Sequence, residues 1–271
     1  MSSHDTKKNW GDLFMNGFAV LSSFLGTGVE FIEALTIVLA VAAIRGWKNA
    51  LLGAFSAVLV LAILVTLIGA PLAKVIDLFW VQLMVGLFML LFGIRWLRKA
   101  ILRYAGLKAL HNEAESYEEE VQRQKAAGEV KPGIDRFAFA TTFSGTFLEG
   151  LEAIFIVITF GLASHSISSA VLGALIATVV VILLGIIAKQ PLSKIPENTM
   201  KFIVGIMLTS FGTYWLGESF HVRWPNQDLS IIYLIVTLLL LSYILVTRCK
   251  RALRSSHGED SSQTPGEVSQ S

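Results

Sequence analysis

Charge is what this chain has least of. Of its 271 residues only 15% are Asp, Glu, Lys or Arg, against 54% hydrophobic residues and a mean hydropathy of +0.65. That composition cannot cover a water-facing surface, so an ordinary cytosolic enzyme is excluded and an integral membrane protein is expected. Residues 13–94 and 137–217 hold only six charged side chains each. A single cysteine, Cys249, excludes an intrachain disulfide. The net charge of +2 is too small to favour nucleic acid as a partner. Neither HExxH nor GxSxG occurs, which leaves an intramembrane hydrolase without its metal or nucleophile motif, and no enzyme activity is expected.

Long apolar runs are what the chain does have. A hydrocarbon core of about 30 Å needs roughly twenty apolar residues per helical crossing. Seven stretches qualify: 13–44, 50–70, 76–94, 137–163, 169–188, 202–216 and 229–247, the sixth being short. The first is too long for a signal-peptide core and has no convincing small-residue cleavage site. This topology puts eighteen Lys and Arg on one side and four (Lys7, Lys8, Lys74, Arg223) on the other. Basic segments resist translocation, so the reading is a multi-pass cell-membrane protein with its amino terminus outside and its carboxyl terminus in the cytoplasm. All six tryptophans fall at or beyond the ends of these stretches, as in an interfacial aromatic belt.

The chain also repeats itself. Gly26-Thr27, Glu30, Glu33-Ala34, Ile37-Val38, Gly86, Phe92-Gly93 and Trp96 recur 119 residues later as Gly145-Thr146, Glu149, Glu152-Ala153, Ile156-Val157, Gly205, Phe211-Gly212 and Trp215. With one inserted residue, Leu52-Gly53-Ala54, Pro71-Leu72 and Lys74 match Leu172-Gly173-Ala174, Pro191-Leu192 and Lys194. Each copy holds three spans, an odd number, so the second enters from the opposite face. The expected fold is therefore all-α, with seven transmembrane helices: two inverted three-helix repeats, 13–97 and 137–217, plus a seventh helix at 229–247.

Residues 98–136 form a charged linker between the repeats. Ile101, Tyr104 and Lys108 have helical spacing, and Glu113, Glu115, Glu118, Glu119 and Glu120 follow before Gly128 and Pro132. A cytoplasmic helix with a solvated acidic face is expected. Residues 255–271 are polar, without apolar periodicity, and read as a disordered cytoplasmic tail.

Four acids lie where acids are costly. Glu30 and Glu33 fall well inside the first span and Glu149 and Glu152 inside the fourth; an acid at a helix centre costs about 2.5–3.5 kcal/mol on insertion scales. Spacing of i, i+3 puts each pair on one helix face, and a pseudo-two-fold axis near the midplane could bring both pairs together. No basic residue lies inside the seven stretches, so protons or a bound cation would have to neutralise the cluster. Oxygen donors without intramembrane His or Cys favour hard ions: Mg²⁺, Ca²⁺, Mn²⁺ or iron. The bland alternative is protonated acids bonded to Thr36, Thr142 or Thr159. Met84, Met89 and Met207 read as packing, His165 and His221 as solvated loop residues. Gly26, Gly28 and Gly145 would permit either close helix approach or a local break.

Glu30-Phe-Ile-Glu33-Ala34 and Glu149-Gly-Leu-Glu152-Ala153, in the first and fourth spans, resemble the paired Arg-Glu-x-x-Glu motifs of the oxidase-dependent iron permease family. The resemblance runs over about residues 13–247. It implies a membrane permease for iron, with Glu30, Glu33, Glu149 and Glu152 as the metal-handling acids, no resident cofactor, and room for an oxidase or extracytoplasmic metal-delivery partner. Val29 and Leu148 stand where that family has arginine. The inverted three-span plan is also similar to calcium/manganese exchangers and LysE-type exporters, so a proton-coupled manganese or calcium exporter is the second reading. Their Glu-x-Gly-Asp signature is absent.

Overall fold

The computed structural model describes residues 3–74, 79–108, 112–128, 133–164, 166–187, 197–225 and 229–260. Pro191, Leu192, Lys194, His165 and residues 261–271 lie outside them. The described residues form eight helices and no strand: α1 (Ser3–Arg45), α2 (Trp47–Lys74), α3 (Phe79–Tyr104), α4 (Glu113–Ala126), α5 (Arg136–Ala163), α6 (Ile167–Ile187), α7 (Glu197–Ser219) and α8 (Ser230–Asp260). Six of these, all but α4 and α7, are long and apolar enough to cross a membrane, and the chain is an all-α multi-pass membrane protein. Several boundaries differ from the sequence reading: α1 begins at Ser3, and α7 runs Glu197–Ser219 beyond the stretch 202–216. Ile101 and Tyr104 end α3 and do not begin a separate linker helix, and α8 continues through the first residues of the expected tail to Asp260.

α7 shows why its stretch is hard to read. It is 23 residues long and more enclosed than its neighbours, with most residues from Val204 to Trp215 buried. A helix wrapped by protein does not need an apolar face all round. Its polar side chains bond back to its own backbone: Thr209 Oγ1 donates to Gly205 O (2.7 Å), Ser210 Oγ to Ile206 O (2.8 Å) and Thr213 Oγ1 to Thr209 O (2.8 Å). Polarity is thus satisfied inside the helix.

The helices pair in a regular way. α1 lies against α5 and α6, α2 against α5, and α3 along α7, with α8 outside α7 and α3. The α3–α7 contact is close because glycines line it: a Cβ on Gly93 would lie 2.5 Å from the Thr209 nitrogen. Met89 and Met207 pack in the main core cluster with Phe160, Phe211 and Trp215. Trp96 and Trp215 are core residues too, so the belt reading fails for these two, while Trp47 and Trp80 are exposed; the Trp10 side chain lies outside the described ones.

One buried polar clamp fixes the side of the bundle where α4 sits. Arg45, in the last turn of α1, donates through Nη1 to Asp135 Oδ2 (2.5 Å) and through Nη2 to the Gln124 and Gly128 carbonyls (2.7 and 3.2 Å). Asp135 caps α5, accepting from the Phe137 and Ala138 amides (3.0 and 3.2 Å), while Asn49 Oδ1 accepts from the Asp135 amide. α1, α4 and α5 are therefore joined through one guanidinium. Burial pushes the Asp135 carboxyl up, but the Arg45 hydrogen bond and the two cap amides outweigh it and hold it below the ordinary range.

Removing one member strands a buried charge, so Asp135→Ala should cost about 3–5 kcal/mol of stability, read as a lower unfolding midpoint in detergent. A carboxyl held low contributes fully above its unfolded value. The contribution of Asp135 should therefore be intact above about pH 4 and fade as pH falls through the lowered native value, and Asp135→Ala should be insensitive to that fall.

Candidate metal centre

The sequence places two acids on one face of α1 and two on one face of α5. Both helices run unbroken past them, so the glycines before the acids serve close approach and no local break. A Cβ on Gly26 would lie 2.8 Å from Ile156 Cγ2, and one on Gly145 would lie 2.7 Å from Ile37 Cδ1. These two contacts are copies of each other, since Gly145 and Ile156 each follow Gly26 and Ile37 by 119 positions. Gly28 meets only ordinary contacts.

At that crossing the carboxylates of Glu30, Glu33 and Glu149 each offer an oxygen, all within 4.8 Å of one another. Glu30 is fully buried, and its Oε1 has no hydrogen-bond partner among the described residues. Glu152 does not join this group of oxygens, although its charge bears on Glu149. Three of the four expected acids therefore converge, and the fourth stands beside them.

A second trio shares Glu33. Its carboxylate groups with those of Glu113 and Glu197, again within 4.8 Å. Glu113 opens α4 behind its cap Asn112, whose side chain accepts from the Ala114 amide (3.0 Å), and Glu197 opens α7. Both are buried. Thr36 Oγ1 donates to Glu113 Oε2 (2.7 Å), while Thr142 and Thr159 bond to their own helix backbone. None of these three threonines holds one of the four motif acids in the way the bland alternative required. The solvated-face reading of the linker fails for Glu113 and Gln124, which are buried against the bundle, and holds for the outer face.

The expectation that no basic residue meets the cluster is also overturned. Lys201, one turn into α7 and just outside the apolar stretch 202–216, pairs through Nζ with Glu33 Oε1 and with Glu197 Oε1 (2.8 Å). Its ammonium also stands 5.7 Å from the centre of the Trp96 ring. Glu113, Glu197 and Lys201 were the residues sequence reasoning missed. The i, i+4 pairing of Glu197 with Lys201 at a helix start was the available signal.

A cleft of about 300 Å³ opens beside the acids, lined by Glu33, Thr36 and Glu149 together with Glu113, Glu119, Glu120 and Arg123 of α4. The arrangement offers carboxylate oxygens and hydroxyls without imidazole or thiolate, a donor set suited to hard cations. Arginine is absent from the motif positions, where Val29 is buried and Leu148 exposed.

Residues 82–247, more than half of the chain, match the family described as ferrous iron uptake permease, iron-lead transporter. The match includes Glu149, Glu152, Glu197 and Lys201 and begins after Glu30 and Glu33. No curated protein and no solved structure matches the chain significantly. A multi-pass helical membrane protein with buried carboxylates, matched over that span, is a member of the ferrous iron uptake permease, iron-lead transporter family.

Proposed function

We propose that the chain carries ferrous iron across the membrane through Glu30, Glu33 and Glu149, with Glu152 as the adjoining fourth acid. The observation that carries this reading is the convergence of three carboxylates from α1 and α5 on one point, in a family of iron permeases. Oxygen ligands replace part of the water shell of the ion, and the net negative charge offsets its dehydration. Family membership favours iron over the manganese or calcium exporter reading.

The finer architecture belongs to the same proposal: seven crossings, with α7 as the sixth, and two inverted three-helix repeats. It is supported by the copied contacts at Gly26 and Gly145. Gly53 and Gly173 repeat the pattern, since a Cβ on Gly53 would strike the Phe139–Phe143 turn and one on Gly173 the Val20–Phe24 turn. With the amino terminus outside, α4 and the cleft face the cytoplasm, and the acids of α4 line the inner mouth. An oxidase or a metal-delivery partner would act at the opposite, outer mouth.

Transport should depend on the acids in a graded way. In proteoliposomes containing the full chain, Glu30→Gln, Glu33→Gln and Glu149→Gln should each reduce uptake of labelled Fe²⁺ at least about tenfold, with Glu152→Gln less severe, as expected when a ligand charge is lost from a buried ion site. Near-normal uptake by the Glu149→Gln protein would refute the site.

Binding should also move a proton. Carboxylates this close together in a poorly screened layer hold a proton between them when no ion is bound, and an ion that engages them displaces it. Fe²⁺ added to the purified protein in weakly buffered solution should acidify the medium, and Glu149→Gln should abolish that signal. Binding without proton release would contradict the arrangement.

Orientation is tested by labelling in a Cys249→Ser background. A cysteine at Ser166 should react with an impermeant thiol reagent in intact cells, and one at the exposed Gln122 of α4 should not. Reversed labelling would invert the topology.

A further inference from the structure

Glu33 belongs to both groups of carboxylates, and Lys201 holds it. We infer that Lys201 is a tethered counter-ion that competes with the transported cation for Glu33, and so sets how tightly the ion is held and how readily it leaves toward the α4 cleft. The inference rests on the proposed iron reading and extends it to a residue outside both Glu-x-x-Glu motifs.

The geometry gives the lysine two places to be. Its ammonium bridges Glu33 on α1 and Glu197 on its own helix, 2.8 Å from Glu197 Oε1. Glu197 lies one turn earlier on α7 and is held by the same backbone, so it keeps the lysine whether or not Glu33 is available. An incoming divalent ion that takes Glu33 together with Glu30 and Glu149 would displace the ammonium from Glu33 and leave it on Glu197. Two cations would then stand close together in a poorly screened site, and their repulsion favours release.

The lysine also breaks the symmetry of the repeat. Its counterpart 119 positions earlier is Gln82, which carries no charge, so the repeat supplies no symmetry-related partner for this cation. The ammonium stands on the side of the Trp96 ring, α4 and the cleft. A counter-ion on one side gives a symmetric pair of acids two unequal exits.

The test compares Fe²⁺ uptake kinetics of three variants with the unchanged protein in proteoliposomes, the iron kept reduced. Lys201→Met removes the competitor, so KM should fall roughly tenfold and the maximal rate should fall with it, because the ion is bound more tightly and released more slowly. Lys201→Arg retains the charge and should stay near the unchanged protein in both. Glu197→Gln takes away the second resting place, leaves the ammonium on Glu33 and should raise KM severalfold. Opposite KM shifts in Lys201→Met and Glu197→Gln support the competition. If Lys201→Met does not insert, the rise in KM for Glu197→Gln with a normal Lys201→Arg carries the same conclusion. A purely structural lysine would lower the maximal rate in all three with KM unmoved, which would overturn the inference while leaving iron transport standing. Absence of Fe²⁺ uptake by the unchanged protein would overturn both.

Discussion

The rest of the structure depends on the cost of keeping carboxylates away from water. Each acid placed inside a span is destabilising by about 2.5–3.5 kcal/mol on insertion scales, so several together persist only where protons, cations and hydrogen bonds are arranged around them. Here the arrangement centres on Glu33. On one side stand Glu30 and Glu149; on the other stand Glu113, Glu197 and the ammonium of Lys201. α4 is drawn under the bundle because Glu113 bonds to Thr36 of α1, and Arg45 locks its far end to α5 through Asp135. A helix that composition alone would leave in water is thereby part of the wall of the cleft beside the acids.

Close packing makes that geometry available. The acids meet because glycine lets the α1 and α5 backbones approach where Gly26 faces Ile156 and Gly145 faces Ile37. Lipid gives no hydrophobic drive to press helices together, so small residues and interhelical polar contacts carry the association. The α3–α7 pair uses the same device at Gly93 and places Lys201 against Trp96 and Glu33. A rigid pair of helices on one flank thus sets the position of a charge that acts on the other.

Much of this was legible in the sequence, and the rest was hidden for physical reasons. Glu30, Glu33, Glu149 and Glu152 stand out because an acid in an apolar run has few innocent explanations, and their recurrence at 119 residues identifies them as copies. The membrane class and the iron family followed from the same features. Glu113, Glu197 and Lys201 did not stand out, because each lies at the edge of a polar segment where charge is ordinary. Only tertiary packing shows that Glu113 and Glu197 are buried beside Glu33. α7 read as a short stretch because its Thr and Ser side chains bond to its own carbonyls, which lets a polar-looking segment sit inside the bundle. The tryptophan pattern misled for a related reason: position along a span does not say whether a ring faces lipid, and Trp96 and Trp215 face the core.

The central claim is that iron is held by carboxylate oxygens at the crossing of α1 and α5. X-ray absorption of Fe²⁺ bound to the full-length protein reads the ligands directly. The account predicts a first shell of oxygen alone, lost when Glu30 and Glu149 are both changed to Gln. A shell containing nitrogen or sulfur, or one that survives the double substitution unchanged, would contradict it.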